Sequence, residues 1–165
     1  MLRIEHVGML PRETWDALID GEHDPFGVGD DTTEWRRKEH FTVLYDGERP
    51  IAGTGLVLVE TDHGETVGVG GVIVTRDYRD QGHLRPVFDA ALERAKTLGP
   101  DTAMLFCADW NVPLYAHLGF KSITAPVTVD QPDGPKQMTD DAMWRPLRDG
   151  ATWPDGPVRV RGLPF

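Results

Sequence analysis

The sequence predicts an α/β or α+β fold around a mixed sheet, and three observations predict it. Strand patterns at 41–45, 50–60 and 66–74 are joined by the turn signals Asp46-Gly47 and Thr61-Asp62-His63-Gly64, as in an antiparallel meander. The third strand runs into a helical pattern at 83–98, and a strand–helix–strand unit continues to residue 129. A chain of 165 residues, 39% hydrophobic and 27% charged, is long enough for one domain with a real core.

Taken in order, residues 2–10 read as a first strand, and 11–19 as a helix with Pro11 at its start. Residues 20–31 hold five acids and no Lys or Arg, and their glycines and proline make them a loop. Thr32 or Thr33 caps a short helix through Glu39. After the meander, Leu84, Val87, Phe88, Ala91, Leu92 and Ala95 form one apolar helix face, which Gly99-Pro100 stops. Residues 102–107 are an apolar strand, 111–118 a short helical piece and 120–129 a strand. Gln131-Pro132-Asp133-Gly134-Pro135 is a turn and 142–147 a last strand. Seven of the thirteen prolines follow Ala125, and 148–165 read as an irregular tail of the single domain 1–165.

The stretch 70–85 organises the rest. Val72, Ile73 and Val74 are a β-branched run, as in a strand covered on both faces. Arg79-Asp80-Gln81-Gly82 interrupts it, and Pro86 lies in the first turn of the following helix. A glycine-containing loop that opens a helix presents free backbone N–H groups and the positive end of the dipole, which suits an anion such as phosphate. Arg79 and Arg85 would add charge. Alone, the loop is equally well an ordinary strand–helix connection with a turn glycine.

Composition narrows the function. A net charge of −10 makes nucleic acid and anionic membrane poor partners. Cys107, the one cysteine, excludes an internal disulfide and suits a reducing compartment, so the expected location is cytoplasmic. It sits in an apolar strand with no His pattern beside it and reads as a small core residue. The six histidines show no metal-ligand spacing, so no metal is assigned. The start, Met1-Leu2-Arg3-Ile4-Glu5-His6, does not read as a signal peptide.

Two separated segments resemble the GNAT superfamily of N-acetyltransferases. Val-Thr-Arg-Asp-Tyr-Arg-Asp-Gln-Gly-His-Leu, at 74–84, is similar to that family's strand–pyrophosphate-loop–helix motif. Asn111-Val-Pro-Leu-Tyr115-Ala-His-Leu-Gly-Phe120 is similar to its Asn…Tyr…Gly-Phe motif, at the family's separation of one helix and one strand. Leu84 stands where the family often has a small residue. In this, Gly82-x-Leu84-Arg85 resembles aminoglycoside 2'-N-acetyltransferases, which carry an acid where this chain has Gly70.

The resemblance implies a mixed, mostly antiparallel central sheet flanked by helices, with two splayed strands forming a cleft for acetyl-CoA. The backbone of Val72, Ile73 and Val74 would pair with the pantetheine amides like an added strand. Backbone N–H groups of Arg79, Asp80, Gln81, Gly82, His83 and Leu84, with Arg85 beside them, would hold the pyrophosphate. Asn111 would bond the pantetheine arm; a helix cap is the equal alternative. Tyr115 would protonate the leaving thiolate, and a backbone N–H near Val72 would meet the oxyanion.

The general base is unassigned. Asp109 is the nearest candidate in sequence; Glu60, His117 and the acidic loop are others. Trp110 and Trp153 read as core residues or as walls of an acceptor pocket. The implied activity is transfer of an acetyl group to a primary amine of a small acceptor. Asp24, Asp30 and Asp31 would favour a cationic one. The alternatives are a non-catalytic acyl-CoA-binding or regulatory module on the same fold, and a phosphate-binding protein unrelated to CoA. A homodimer is compatible with the resemblance.

Overall fold

Tight turns and β-branched runs build the first half of the molecule as the sequence asks. The computed structural model describes all 165 residues except Val28 and Asp30. β1 (Leu2–Val7) and α1 (Arg12–Ile19) precede the meander β2 (His40–Asp46), β3 (Arg49–Thr61) and β4 (Gly64–Val74). Then follow α2 (Leu84–Ala95), β5 (Thr102–Cys107), α3 (Val112–His117), β6 (Lys121–Ile123), β7 (Val127–Gln131), β8 (Gly134–Gln137), β9 (Asp141–Pro146) and β10 (Val158–Arg161). Short 3₁₀ turns occupy Arg76–Tyr78, Lys96–Leu98 and Asp109–Asn111.

The strands join one mixed, mostly antiparallel sheet, ordered β6-β9-β5-β4-β3-β10-β7-β8, with β2 and then β1 branching from β3. β3 is long enough to fork the sheet: its first half pairs with β2, and Glu60 and Thr61 pair with β10. Its other edge pairs with β4 throughout. β4 and β5 run parallel but pair only at Val67↔Ala103, Gly68↔Met104 and Val69↔Leu105. Beyond Val69 they part.

A bulge accounts for the parting. Gly55 faces Gly70 while Gly53 faces Ile73, so β4 carries one extra residue there. Gly71 accommodates it with φ +58°, a conformation that favours glycine. A bulged strand bends and twists, and β4 does so where its pairing with β5 stops.

The sheet buries both faces. Leu56, Val67, Val69 and Leu105 pack against Phe88 and Leu92 of α2 and Tyr115 of α3. On the other face Val57, Val59, Met104, Val160 and Phe165 form a second cluster. α1 lies on this second face, where Leu18 and Phe41 crowd the bare backbone of Gly53.

Three expectations need correction. Residues 32–39 form neither helix nor strand and lie on the second face, with Trp35 against its cluster and Lys38 against Gly55 and Gly70. Instead of capping a helix, Thr33 bonds back to Asp31 through its amide (3.0 Å) and hydroxyl (2.7 Å). Arg36 is drawn off by tertiary partners, its N–H donating to Pro164 O at 2.7 Å and its guanidinium to carbonyls of Leu58, Arg161 and Leu163. The strand expected at 120–129 breaks near Pro126, which lacks an N–H; β6 pairs with β9, and β7 with β10 and β8. The turn at 131–135 lies inside the β7–β8 hairpin. The tail is not irregular: Val158 and Val160 of β10 alternate into the second core cluster, and Phe165 is buried with them.

Candidate active site

The parted ends of β4 and β5 leave a cleft with two unlike sides. One side is the edge of β4 from Gly70 to Val74 and the loop after it. This edge has no strand partner beyond Val69. Ile73 is buried, while Val72 and Val74 pack against the two clusters beneath α2.

Side chains tie the loop down from outside. The Thr75 hydroxyl donates to Leu18 O (3.1 Å), the Tyr78 hydroxyl to Asp46 (3.0 Å) and the Gln81 amide group to Asp77 O (2.8 Å). Asp80 and Gly82 take φ values of +61° and +80°. Among the described residues, the main-chain N–H groups of Asp80, Gln81 and Gly82 have no acceptor. No side chain caps α2, whose first flanking residue is His83. The orphan N–H groups and the helix dipole therefore face outward together.

The loop's charges are not disposed as expected. Arg79 is already engaged: its Nε donates to Val74 O at 2.9 Å, and its two terminal nitrogens grip the Glu22 carboxylate. It ties the loop to residues 20–31 and does not stand over it. Among the described residues Arg85 pairs only with Asp89 one turn on, at 3.2 Å with both side chains exposed, which leaves it available to an anion. Leu84 packs inward on the Ile51 and Val87 cluster, so its size does not block the loop.

α3 and the turn before it close the far wall of this side. Tyr115 is 8% exposed, its ring centroid 6.0 Å from that of Phe88 and 6.2 Å from that of Phe120. Burial, and then the nearby Cys107 thiol, push the phenol well above its ordinary range, so it carries its proton at every physiological pH. Asn111 precedes α3, and its side chain makes no capping bond. Cys107 is buried at the end of β5; burial first, then Asp141 and Asp140, push its thiol up to about 11, which makes it no nucleophile.

The other side of the cleft is built from remote parts of the chain. Trp15 stacks on Phe26 at 5.9 Å and meets Phe41 edge-on at 6.0 Å. Both Trp15 and Phe41 lie over Gly71. Gly27, after α1, comes close to the turn after β5: a Cβ there would stand 3.1 Å from the ring of Trp110, which is 65% exposed. Most of the acids of the loop 20–31 are spent internally. Asp24 accepts from Gly29 N at 2.9 Å, Glu22 holds Arg79, and Asp31 holds Thr33. Asp30 lies outside the described residues.

Asp140 flanks Asp141, which pairs with Cys107 at the end of β5. Its carboxyl is raised by burial and by the charges of Asp31 and Asp141, with Lys136 acting the other way. Of the other base candidates, Glu60 lies opposite Glu65 at the far end of the β3–β4 ladder. Asp109 is exposed, and His117 lines a hollow with Arg85, Lys96 and Arg145. Trp153 stacks on Trp144 and lines a hollow with Glu65, Thr66 and Thr102, at the paired ends of β4 and β5 and not at their parted ends.

The family model described as "Acetyltransferase (GNAT) family" matches residues 10–120, which span α1 through α3 and so both sides of the cleft. The chain belongs to the GNAT acetyltransferase family. Among curated proteins none matches this chain. Solved structures share its fold. A presumed N-acetyltransferase from Lactobacillus plantarum is 21% identical with a TM-score of 0.66, over 89% of this chain and 99% of that one. The ribosomal-protein-S18-alanine N-acetyltransferase from Escherichia coli is 17% identical with a TM-score of 0.61, over 93% and 100%. A GNAT family N-acetyltransferase from Escherichia coli, solved in complex with CoA, is 19% identical with a TM-score of 0.62, over 96% and 90%. Family and fold together support N-acetyl transfer as the general activity. Among the described residues no helix is long and apolar enough to cross a membrane.

Lys38, Asp140 and Phe165 escaped the sequence reading. The available signal was glycine. Gly53, Gly55, Gly68 and Gly70 all sit inside strands, where glycine marks the close approach of another group. Lys38 lies against Gly55 and Gly70, and Phe165 against Gly68 and Gly70.

Proposed function

We propose that this GNAT family member transfers an acetyl group from acetyl-CoA to a primary amine of a small cationic acceptor. One observation carries the donor half: past its last pairing with β5, β4 leads directly into a loop in which, among the described residues, the amides of Asp80, Gln81 and Gly82 have no acceptor. An extended pantetheine arm can add to such an edge by main-chain hydrogen bonds, through Val72, Ile73 and Val74. The amides of Arg79 to Leu84 and the start of α2 then meet the pyrophosphate, with Arg85 adding charge. Asn111, free of capping duty, is available to the arm. Attack of the amine on the thioester carbonyl forms the C–N bond, and a main-chain N–H near Val72 stabilises the oxyanion. As the C–S bond breaks, the protonated Tyr115 phenol gives the thiolate its proton.

Asp140 supports the cationic acceptor. Its carboxyl is held up by burial and by two neighbouring acids beside the end of β5, and a bound ammonium would relieve that repulsion. The test has two steps. Acetyl-CoA should raise Tm where ATP does not, since a ligand of the folded state stabilises by mass action. A panel of small di- and polyamines should then release free CoA, detected as thiol. Stabilisation by CoA without release from any amine would instead favour a non-catalytic acyl-CoA-binding module.

A further inference from the structure

We infer that Lys38 is the proton acceptor for the incoming amine, an inference that rests on the transfer reaction proposed above. The segment 32–39 carries Lys38 onto the face of the sheet opposite α2. Its stem lies in a trough made by two glycines paired across β3 and β4, Gly55 and Gly70. A Cβ on Gly55 would meet Lys38 Cγ at 2.5 Å, and one on Gly70 would meet Cε at 2.5 Å and Nζ at 3.1 Å. The amine therefore occupies the place of a side chain at position 70. That position is the first on β4 past the last pairing with β5, at the crotch of the cleft.

Lys38 and Tyr115 lie on opposite faces there. Tyr115 belongs to the cluster under α2, whereas Gly55 and Gly70 alternate to the other face, beside Phe165. A thioester lodged in the crotch would present one face to each. Base on one side and acid on the other is the arrangement that attack by an amine and departure of a thiolate require.

The surroundings hold the amine ready to take a proton. Among the described residues its hydrogen bond is to Arg36 O at 2.9 Å, and it has no ion pair. The strands against it offer Gly55 and Gly70, and the main-chain carboxyl carbon of Phe165, the last residue, lies over Gly70 beside it. Arg36 is the charged side chain that bears on it, with its guanidinium turned to three carbonyls. Burial first, and Arg36 second, bring the ammonium pKa down to about 8. About a tenth of the molecules then hold a neutral amine at pH 7.

The protons balance as follows. The acceptor ammonium gives one proton to neutral Lys38, leaving the amine lone pair free to attack the thioester carbonyl. The C–N bond forms, the C–S bond breaks, and Tyr115 protonates the thiolate. The second proton on nitrogen restores Tyr115, and Lys38 releases its proton to solvent.

Steady-state pH profiles of wild type, Lys38→Met, Lys38→Arg and Asp140→Asn test this. Wild-type activity should show an acidic limb centred near pH 8. Lys38→Met should lose about 10²–10³-fold in kcat, keep the KM for acetyl-CoA, and lack that limb. Lys38→Arg, charged at every accessible pH, should lose as much. Asp140→Asn should raise the acceptor KM and keep the limb. Full activity in Lys38→Arg would overturn the inference, because a fixed charge would then suffice. So would a Lys38→Met enzyme within threefold of wild type.

A wild type that binds CoA but acetylates no amine would bring down the proposed reaction, and Lys38's role with it. An active wild type beside an active Lys38→Met would bring down Lys38 alone. Reductive methylation of folded wild type needs no variant to fold. Labelling of Lys38 should rise with a midpoint near pH 8 and slow when acetyl-CoA is bound; a midpoint near the ordinary value of about 10.4, or no protection, would contradict the inference.

Discussion

The two sides of the cleft differ in how the chain assembles them. The side we propose for the donor is nearly one continuous piece: β4, its loop and the first turn of α2 follow one another from residue 64 to 85. The side we propose for the acceptor is a patchwork of Trp15 from α1, Lys38 from the segment before β2, Trp110 from a 3₁₀ turn, Asp140 ahead of β9 and Phe165. Local geometry shapes the first, with a bulge at Gly71, positive φ at Asp80 and Gly82 and an uncapped helix start, and bonds to Leu18, Glu22 and Asp46 tie it down. The second exists only when distant segments meet. One side can be shared widely because it reads a constant group. The other can vary segment by segment with the acceptor.

Substitutions should therefore fall into two classes, and the largest effect tests the acid that serves both. Tyr115→Phe should lower kcat by about 10²–10⁴-fold while CoA affinity stays within twofold. Equal losses in kcat and CoA affinity would make Tyr115 a packing residue, as its contacts with Phe88 and Phe120 allow. Next is Gly70→Ala. Its Cβ would stand 2.5 Å from Lys38 Cε and 2.9 Å from the main chain of Phe165. Overpacking of this kind costs about 1–3 kcal/mol, measurable by denaturant unfolding, and should displace Lys38 without weakening CoA.

Gly82→Val belongs to the donor class. No atom obstructs a side chain there, but φ is +80°, and a β-branched residue strains that backbone by about 1–2 kcal/mol. It should weaken CoA roughly tenfold by calorimetry, by about the same free energy, and leave the acceptor KM unchanged. If Gly82→Val instead changed the acceptor KM, the two sides would not be separable.

The last effect is on stability alone. Below pH 8 Lys38 is protonated whether folded or unfolded, and the folded state bears the cost of its burial. Between pH 8 and the unfolded value of about 10.4, only the unfolded chain holds that proton, so stability from this group rises with pH. Lys38→Met should thus melt above wild type at pH 7, and the gap should close toward pH 10.

The same contrast decides what could be read from the sequence. The strand, loop and helix of 64–95 were legible because the spacing, the glycine and the helical pattern are adjacent residues. The short helix that carries Tyr115 was legible from one more segment. Arg79 was read as a charge for the anion, since nothing in the sequence brings Glu22 to it. The residues 32–39 had a cap candidate and good helix formers, yet Arg36 and Lys38 find their partners in the C-terminal segment and on β3 and β4. Tertiary contact overrode propensity there. The C-terminal strand was hidden by its prolines, although Val158-Arg-Val160-Arg carries the period-two alternation that buries both valines.

Amide hydrogen exchange with and without saturating acetyl-CoA tests the central claim most directly. Slowed exchange confined to 70–84 and the start of α2, with residues 12–39 little changed, is the expected pattern. Bound acetyl-CoA that left the amides of Asp80, Gln81 and Gly82 exchanging as before would contradict the account.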